Sequence, residues 1–216
     1  MAVFLLRDSH VFPDVELADN EGLLAFGGNL SEQALLNAYH LGIFPWYNEN
    51  EPICWYSPNP RFVLVPSNLK VSSSMKSVLR KGEFNFTINK DFSAVIKNCR
   101  IAKRKGQPGT WITDDIENAY LNLHHKGFAH SAEAWHNGEL VGGLYGVRLG
   151  KVFFGESMFA KKSNASKFAF IQYVKLLQSQ GVQLIDCQVY TPHLESMGAD
   201  FIPRKKFTAL LKKLIG

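Results

Sequence analysis

Two carboxylates stand where apolar residues are due. Glu156 lies within residues 151–158, which read Lys-Val-Phe-Phe-Gly-Glu-Ser-Met. Asp186 repeats the pattern, with Leu184, Ile185 and Val189 around it and Cys187-Gln188 directly after it. Burying a charge costs free energy unless the charge is paired or kept for a task, and carboxylates shifted by apolar surroundings are the raw material of proton transfer. One such acid is more often satisfied by backbone or by basic partners. Two, on consecutive predicted strands, point to a site. Asp186 and Gln188 are two apart, so on a strand their side chains leave the same face and one can hold the other against a substrate. The alternative is a pair of edge-strand polar residues facing water.

Other chemistries lack their residues. The seven histidines show no H-E-x-x-H or similar metal spacing. Gly155-Glu156-Ser157-Met158-Phe159 lacks the second glycine of a nucleophile elbow. There is no P-loop and no G-x-G-x-x-G, which argues against a nucleotide enzyme, and neither metal nor cofactor is expected. Cys54, Cys99 and Cys187 are odd in number and have no C-x-x-C spacing, which fits a reducing cytosol. No apolar run reaches membrane-spanning length, and the N-terminus turns acidic too soon for a signal peptide.

The elements that must position these acids fall in two parts. The net charge of +5 hides eight acids against one base in residues 1–60, and twenty-three bases against eleven acids thereafter. The break falls beside Pro58-Asn59-Pro60 and marks a boundary between a small domain, 1–61, and a larger one, 62–216. Residues 70–105 hold ten bases and two acids, among the bases Lys76, Arg80, Lys81 and Arg104. A face nearly all Lys and Arg repels itself, and phosphates relieve that repulsion, so nucleic acid is the favoured partner over a merely solvated face. Residues 42–47 and 55–58 read as loops dense in aromatics. Most of these rings suit a core; Trp46, beside Pro45, is a candidate stacking platform, and Trp111, after a basic loop, is a second.

Periodicity gives a helix capped by Ser31 and closed at Gly42, then a strand at 62–65, helix at 75–79, strand at 84–88 and helix at 92–99. Thr113 caps a further helix with Asp114 and Asp115 in its first turn. Strands 131–135 and 140–147 form a hairpin through Asn137-Gly138, and 151–158 follows. Ser163-Asn164 cap a helix whose first turn, with Ser166 and Lys167, is able to take a phosphate, although simple capping explains these residues equally well. The strand 183–189, a short helix near 192–197 and a basic C-terminal helix complete the chain. The order predicts an α+β or mixed α/β sheet with helices on both faces.

Seven stretches, in order over nearly the whole chain, resemble the bacterial leucyl/phenylalanyl-tRNA–protein transferases. They are Gly22-Leu23-Leu24-Ala25-Phe26-Gly27-Gly28, Gly42-Ile43-Phe44-Pro45-Trp46, Trp55-Tyr56-Ser57-Pro58, Gly109-Thr110-Trp111-Ile112-Thr113, Phe154-Gly155-Glu156-Ser157-Met158-Phe159, Asn164-Ala165-Ser166-Lys167 and Ile185-Asp186-Cys187-Gln188. The resemblance implies an N-acetyltransferase-like (GNAT) larger domain with a mixed, mostly antiparallel sheet. It implies transfer of Leu or Phe, sometimes Met, from Leu-tRNA or Phe-tRNA to proteins beginning with Arg or Lys, by a cytoplasmic monomer that marks its acceptors for the N-degron pathway of degradation. By this resemblance Trp46 and Trp111, with Asn164 and Ser166, hold the tRNA 3′ end. Leu144, Phe153, Met158, Tyr173, Leu177 and Ile185 line the amino-acid pocket. Glu156 binds near the aminoacyl group, Asp186 and Gln188 assist proton movement, and Lys76, Arg80, Lys81 and Arg104 contact phosphates. Tyr173 and Leu177 stand where phenylalanines are usual in the family, which leaves the Leu-against-Phe preference open.

The chemistry agrees with this. An aminoacyl ester is already activated, and the attacking α-amine has a pKa of about 8. Positioning, a path for one proton and stabilisation of an oxyanion suffice, with no enzyme nucleophile. Three rival readings fit less well. An acetyl-CoA-dependent acetyltransferase needs a glycine-rich pyrophosphate turn, and residues 161–167 contain no glycine. A non-enzymatic RNA-binding module leaves the two acids unexplained. A relative acting on peptidoglycan precursors usually carries a coiled-coil arm, and no long heptad run is present.

Overall fold

A computed structural model of the chain describes residues 3–7, 11–102 and 111–215. The N-terminal part builds a four-stranded sheet. Its strands are β1 (Phe4–Leu6), β2 (Leu23–Gly27), β3 (Phe44–Pro45) and β4 (Cys54–Tyr56), in the order β1-β2-β4-β3. The two stretches read from sequence as aromatic loops are therefore strands. Two or three residues are too few to display period-2 alternation, and Phe44 and Trp55 are buried as pairing and packing demand. Helix α1 (Glu32–Leu41) follows its signals: the Ser31 hydroxyl accepts from Ala34 N, and Gly42 ends the helix in the left-handed region at φ 79°.

The larger sheet has seven strands. They are β5 (Arg61–Leu64), β6 (Asn85–Ile88), β7 (Ala129–His136), β8 (Glu139–Leu149), β9 (Val152–Ala160), β10 (Leu184–Gln188) and β11 (Asp200–Ile202). Their order is β11-β5-β10-β9-β8-β7-β6, and every pair is antiparallel except β9 with β10. The parallel pair needs a crossover, and α5 (Ala165–Ser179) supplies it. The β7–β8 hairpin turns at Asn137 and Gly138, both at positive φ, as a two-residue turn of this kind requires. Helices cover both faces. On one side α5 and α2 (Ser73–Lys81) bury Phe168, Phe170, Tyr173 and Met75. On the other, α3 (Phe92–Ile101), α4 (Asp114–His125) and α7 (Arg204–Ile215) pack with the N-terminal layer into one continuous core, which includes Tyr39, Trp55, Tyr120, Phe154 and Phe207. The fold is the expected α+β arrangement with a mixed, mostly antiparallel sheet and helices on both faces.

Two details decide where a ligand fits. First, β10 pairs with β9 only over Leu184–Asp186 against Val152–Phe154, whereas β9 stays paired with β8 as far as Ala160. Past Asp186 the register against β5 slips, Gln188 takes a φ of 62°, and Val189 N–H closes a tight turn onto Cys187 O at 2.7 Å. A left-handed central residue in such a turn costs on the order of 1 kcal/mol or more for a non-glycine. The strands splay and the sheet opens. Second, α5 starts flush against β8. A Cβ on Gly142 would lie 2.6 Å from Ala165 Cβ and 2.8 Å from Ser166 N, so only glycine lets the helix approach. Asn164 precedes that helix in the left-handed region with no side-chain cap, which replaces the expected Ser163-Asn164 capping: its backbone, not its amide, makes the turn.

Candidate active site

The gap between β9 and β10 is a cavity of about 450 Å³, of the size that holds a small ligand. Because it opens through the sheet, residues from both faces reach it. Of its lining, Leu144, Phe153, Met158, Phe170 and Ile185 belong to the apolar cluster under α5, and Phe44 and Trp111 to the core on the other face; Pro45 and Trp46 line it too. Glu156 and Gln188 are polar residues of the same lining.

Glu156 is half-buried and held by three donors. Tyr39 OH donates to Oε1 at 2.7 Å, Gln188 Nε2 donates to Oε1 at 2.9 Å, and Tyr120 OH donates to Oε2 at 3.1 Å. The two tyrosine hydroxyls also contact each other. Tyr39 comes from α1 and Tyr120 from α4, so the carboxylate is gripped by the N-terminal layer and the larger domain at once. Burial pushes the Glu156 pKa up to about 7, with the nearby Asp186 adding to it and the hydrogen bonds from Tyr39, Tyr120 and Gln188 pulling against it. Burial and the Glu156 charge raise both tyrosines well above their usual value, so they stay protonated donors.

Asp186, expected with Gln188 to assist proton movement, lines the cavity beside it and carries a counter-charge. It is fully buried, and the Arg61 guanidinium takes both oxygens, Nε to Oδ1 at 2.8 Å and Nη2 to Oδ2 at 2.7 Å. Arg61 is itself 1% exposed and lies between two rings, 4.8 Å from the Phe44 centroid and 4.7 Å from that of Phe207. Asp186 Oδ1 also accepts from Gln188 N at 2.9 Å. That bond pins the left-handed turn, and the turn aims the Gln188 amide at Glu156. Arg61, Asp186, Gln188 and Glu156 thus form one connected chain of hydrogen bonds. Glu156, Asp186 and Gln188 come together, and all three line the cavity.

The remaining expected site residues divide. Trp46, Trp111, Ser166, Leu144, Phe153, Met158 and Ile185 line the cavity. Tyr173 and Leu177 do not. They are buried in α5 behind it, Tyr173 edge-on to Phe153 with centroids 5.1 Å apart, because helical periodicity gives a whole face to the core while the cavity touches only its N-terminal part. Asn164 is outside the lining as well. Lys76, Arg80 and Lys81 are exposed on α2, with Lys76 and Arg80 one turn apart on the same face. Arg104 lies outside the described residues. The sequence reading missed Tyr39, Arg61, Tyr120, Phe170 and His193 as site residues. His193, in α6 (Pro192–Ser196), lines the cavity. Its Nε2 is buried without a hydrogen-bond partner among the described residues, and burial with nearby Lys167 lowers its pKa, which keeps the ring neutral. Among the described residues no group of three metal-ligating side chains occurs, and no helix is long and apolar enough to cross a membrane.

A split sheet, an apolar pocket at the split and a carboxylate raised towards neutrality form a site suited to moving a proton beside an apolar ligand group. The family model described as leucyl/phenylalanyl-tRNA protein transferase matches residues 63–212, and that of the N-terminal domain of the same family matches residues 28–59. A leucyl/phenylalanyl-tRNA–protein transferase of Syntrophobacter fumaroxidans is 53% identical over 215 residues, covering 100% of this chain and 92% of that one. One of Christiangramia forsetii is 51% identical over 211 residues, covering 97% and 100%. The chain belongs to the leucyl/phenylalanyl-tRNA–protein transferase family, a family of aminoacyltransferases. Among solved structures, FemX is similar with a TM-score of 0.50 at 11% identity, covering 83% of this chain and 70% of that one, a likeness of fold alone.

Proposed function

We propose that the protein transfers Leu or Phe from aminoacyl-tRNA to the N-terminal amine of a polypeptide beginning with Arg or Lys, acting as a monomer in the cytoplasm, and that the product enters N-degron degradation. The observation that carries the reading is Glu156, a carboxylate raised to about 7, in a cavity whose lining also holds an apolar cluster and two tryptophans.

In this reading the terminal adenine stacks between Trp46 and Trp111, each contributing about 1–3 kcal/mol. His193 offers its unpaired nitrogen to a ribose hydroxyl, and Lys76, Arg80 and Lys81 take phosphates. The amino-acid side chain enters the pocket of Leu144, Phe153, Met158, Phe170 and Ile185. An apolar pocket separates near homologues by only about 1–3 kcal/mol, so Leu and Phe are both used.

The acceptor amine attacks the ester carbonyl. A C–N bond forms, the amine loses a proton to Glu156, and the C–O bond to the ribose breaks as the departing oxygen takes a proton back. An amine with a pKa of about 8 and a carboxylate near 7 are close enough for the transfer to run readily in either direction. Tyr39, Tyr120 and Gln188 hold Glu156 in place. Asp186 and Arg61 are positioning residues that act through Gln188.

The test is transfer of labelled Leu or Phe from charged tRNA to a peptide beginning with Arg, against the same peptide N-acetylated. Label in the first and none in the second is expected. Equal label, or none in either, removes the reading.

A further inference from the structure

Beside the cavity, two rings lie open to solvent. Tyr190 and Phe201 stack with centroids 5.9 Å apart and an interplanar angle of 19°. They are 45% and 44% exposed, and Val189 next to them is 40% exposed. Beneath them Phe62 is buried, its ring 5.4 Å from Tyr190 and 4.8 Å from Phe201. A contiguous exposed apolar surface of this kind is unfavourable in water and marks an interaction site more often than chance. The shelf adjoins the cavity without a break, since Val189, Thr191, His193 and Leu194 line one and flank the other. Phe62 packs in the core on one face of the sheet and Trp111 against the core on the other, so the shelf and the tryptophans approach the cavity from opposite faces.

Distance and charge suit one occupant. Phe201 pairs with Phe62, and Phe62 with Gln188, so the Phe201 and Gln188 backbones are two strand spacings apart, about 10 Å. Tyr190, two residues past Gln188, is within about 7 Å of it along the chain. An arginine side chain places its guanidinium carbon about 6 Å from its own Cα. The Tyr190 and Phe201 rings add their own length to these backbone separations, so the shelf borders the space open to the side chain of a residue bound against Gln188. Residues 157–216 contain only three acids, Asp186, Glu195 and Asp200, against nine Lys and Arg. Asp186 is closed off by Arg61. Glu195 borders the shelf: its Oε2 accepts from Tyr190 OH at 2.8 Å. In a strongly basic part of the chain, one carboxylate, that of Glu195, stands at the rim of this aromatic surface. A cation over a ring face with a carboxylate at its rim is a favourable combination.

We infer that Tyr190, Phe201 and Glu195 form the subsite for the cationic side chain of the acceptor's first residue. This rests on the reading of the chain as an aminoacyl-tRNA–protein transferase whose acceptors begin with Arg or Lys. Transfer of labelled Phe from Phe-tRNA is measured with peptides beginning with Arg, Lys or citrulline, the last being uncharged and nearly the shape of Arg. Wild type prefers Arg and Lys to citrulline. Tyr190→Leu raises the KM for the Arg peptide about tenfold. Glu195→Gln, which keeps an acceptor for the tyrosine hydroxyl, raises it about threefold. Both lower the Arg-to-citrulline preference by the same factors and leave the KM for Phe-tRNA unchanged. Equal losses with Arg and citrulline, no loss at all, or a change in the tRNA KM instead each overturn the inference; the last would make the shelf a tRNA surface. Failure of wild type to label any of the three peptides would sink the parent reading, a different outcome from all of these.

Discussion

Replacing Arg61 by Met leaves the Asp186 carboxylate fully buried with no counter-charge, and replacing Asp186 by Asn leaves a buried guanidinium in the same position. The two side chains are 1% and 0% exposed and share two bonds of 2.8 and 2.7 Å, so solvent does little to screen either charge. Breaking such a pair from one side costs about 3–5 kcal/mol, whereas replacing both partners by neutral groups is often close to neutral. We expect urea unfolding to show each single variant destabilised by about that amount. The double variant Arg61→Met/Asp186→Asn recovers most of the loss, a coupling of at least about 2 kcal/mol. The same double variant tests chemistry. The carboxamide oxygen introduced at 186 still accepts from Gln188 N–H, so the turn that aims Gln188 at Glu156 persists. Its single-turnover transfer rate should stay within about tenfold of wild type, which is about 1.4 kcal/mol of barrier. A folded double variant slowed more than about a thousandfold would refute the reasoning and make the Asp186 charge part of the reaction itself.

Three further outcomes follow from the site. Glu156 has a pKa raised from 4.5 to about 7 in the folded protein, so between these values the native state binds more protons than the unfolded one and stability falls as pH rises. Glu156→Gln should therefore stabilise the protein by up to about 3 kcal/mol at pH values well above 7 and by little near pH 5, measured by urea unfolding at each pH. Lys76→Glu with Arg80→Glu should weaken tRNA binding and lower the slope of log K against log salt by about 2, with the peptide KM unchanged. Trp111→Ala should weaken aminoacyl-tRNA binding by about 1–3 kcal/mol in a titration.

Much of the site was legible because its residues break a local pattern. Glu156 and Asp186 interrupt apolar strands, and the two tryptophans flank prolines or basic loops. The same signature also misleads. Glu133 lies in β7 and is fully buried, yet it is satisfied by Thr87 Oγ1 at 2.5 Å, Ser131 Oγ at 2.6 Å and Lys90 N at 3.2 Å, far from being poised for chemistry. Nothing in the sequence separates it from Glu156, because the difference lies in partners brought from other elements. Tyr39 and Tyr120 lie on helices α1 and α4, and only tertiary packing turns their hydroxyls onto Glu156. Arg61 sits at the edge of a strand beside Pro60 and shows no period. The turn at Gln188 takes a left-handed residue without the glycine that would announce it, since the Asp186 carboxylate, not local propensity, holds it there. The N-terminal sheet was hidden for a simpler reason: its strands are too short to alternate.

The central claim is that Glu156 takes the proton of the attacking amine, and the pH dependence of single-turnover transfer tests it most directly. With saturating aminoacyl-tRNA and an Arg-initiated peptide, wild type should show two rising limbs, one near 7 from Glu156 and one near 8 from the peptide amine. Glu156→Gln should lose the lower limb, keep the upper one and run about a hundredfold slower or more. A variant that keeps both limbs and the wild-type rate would contradict the claim.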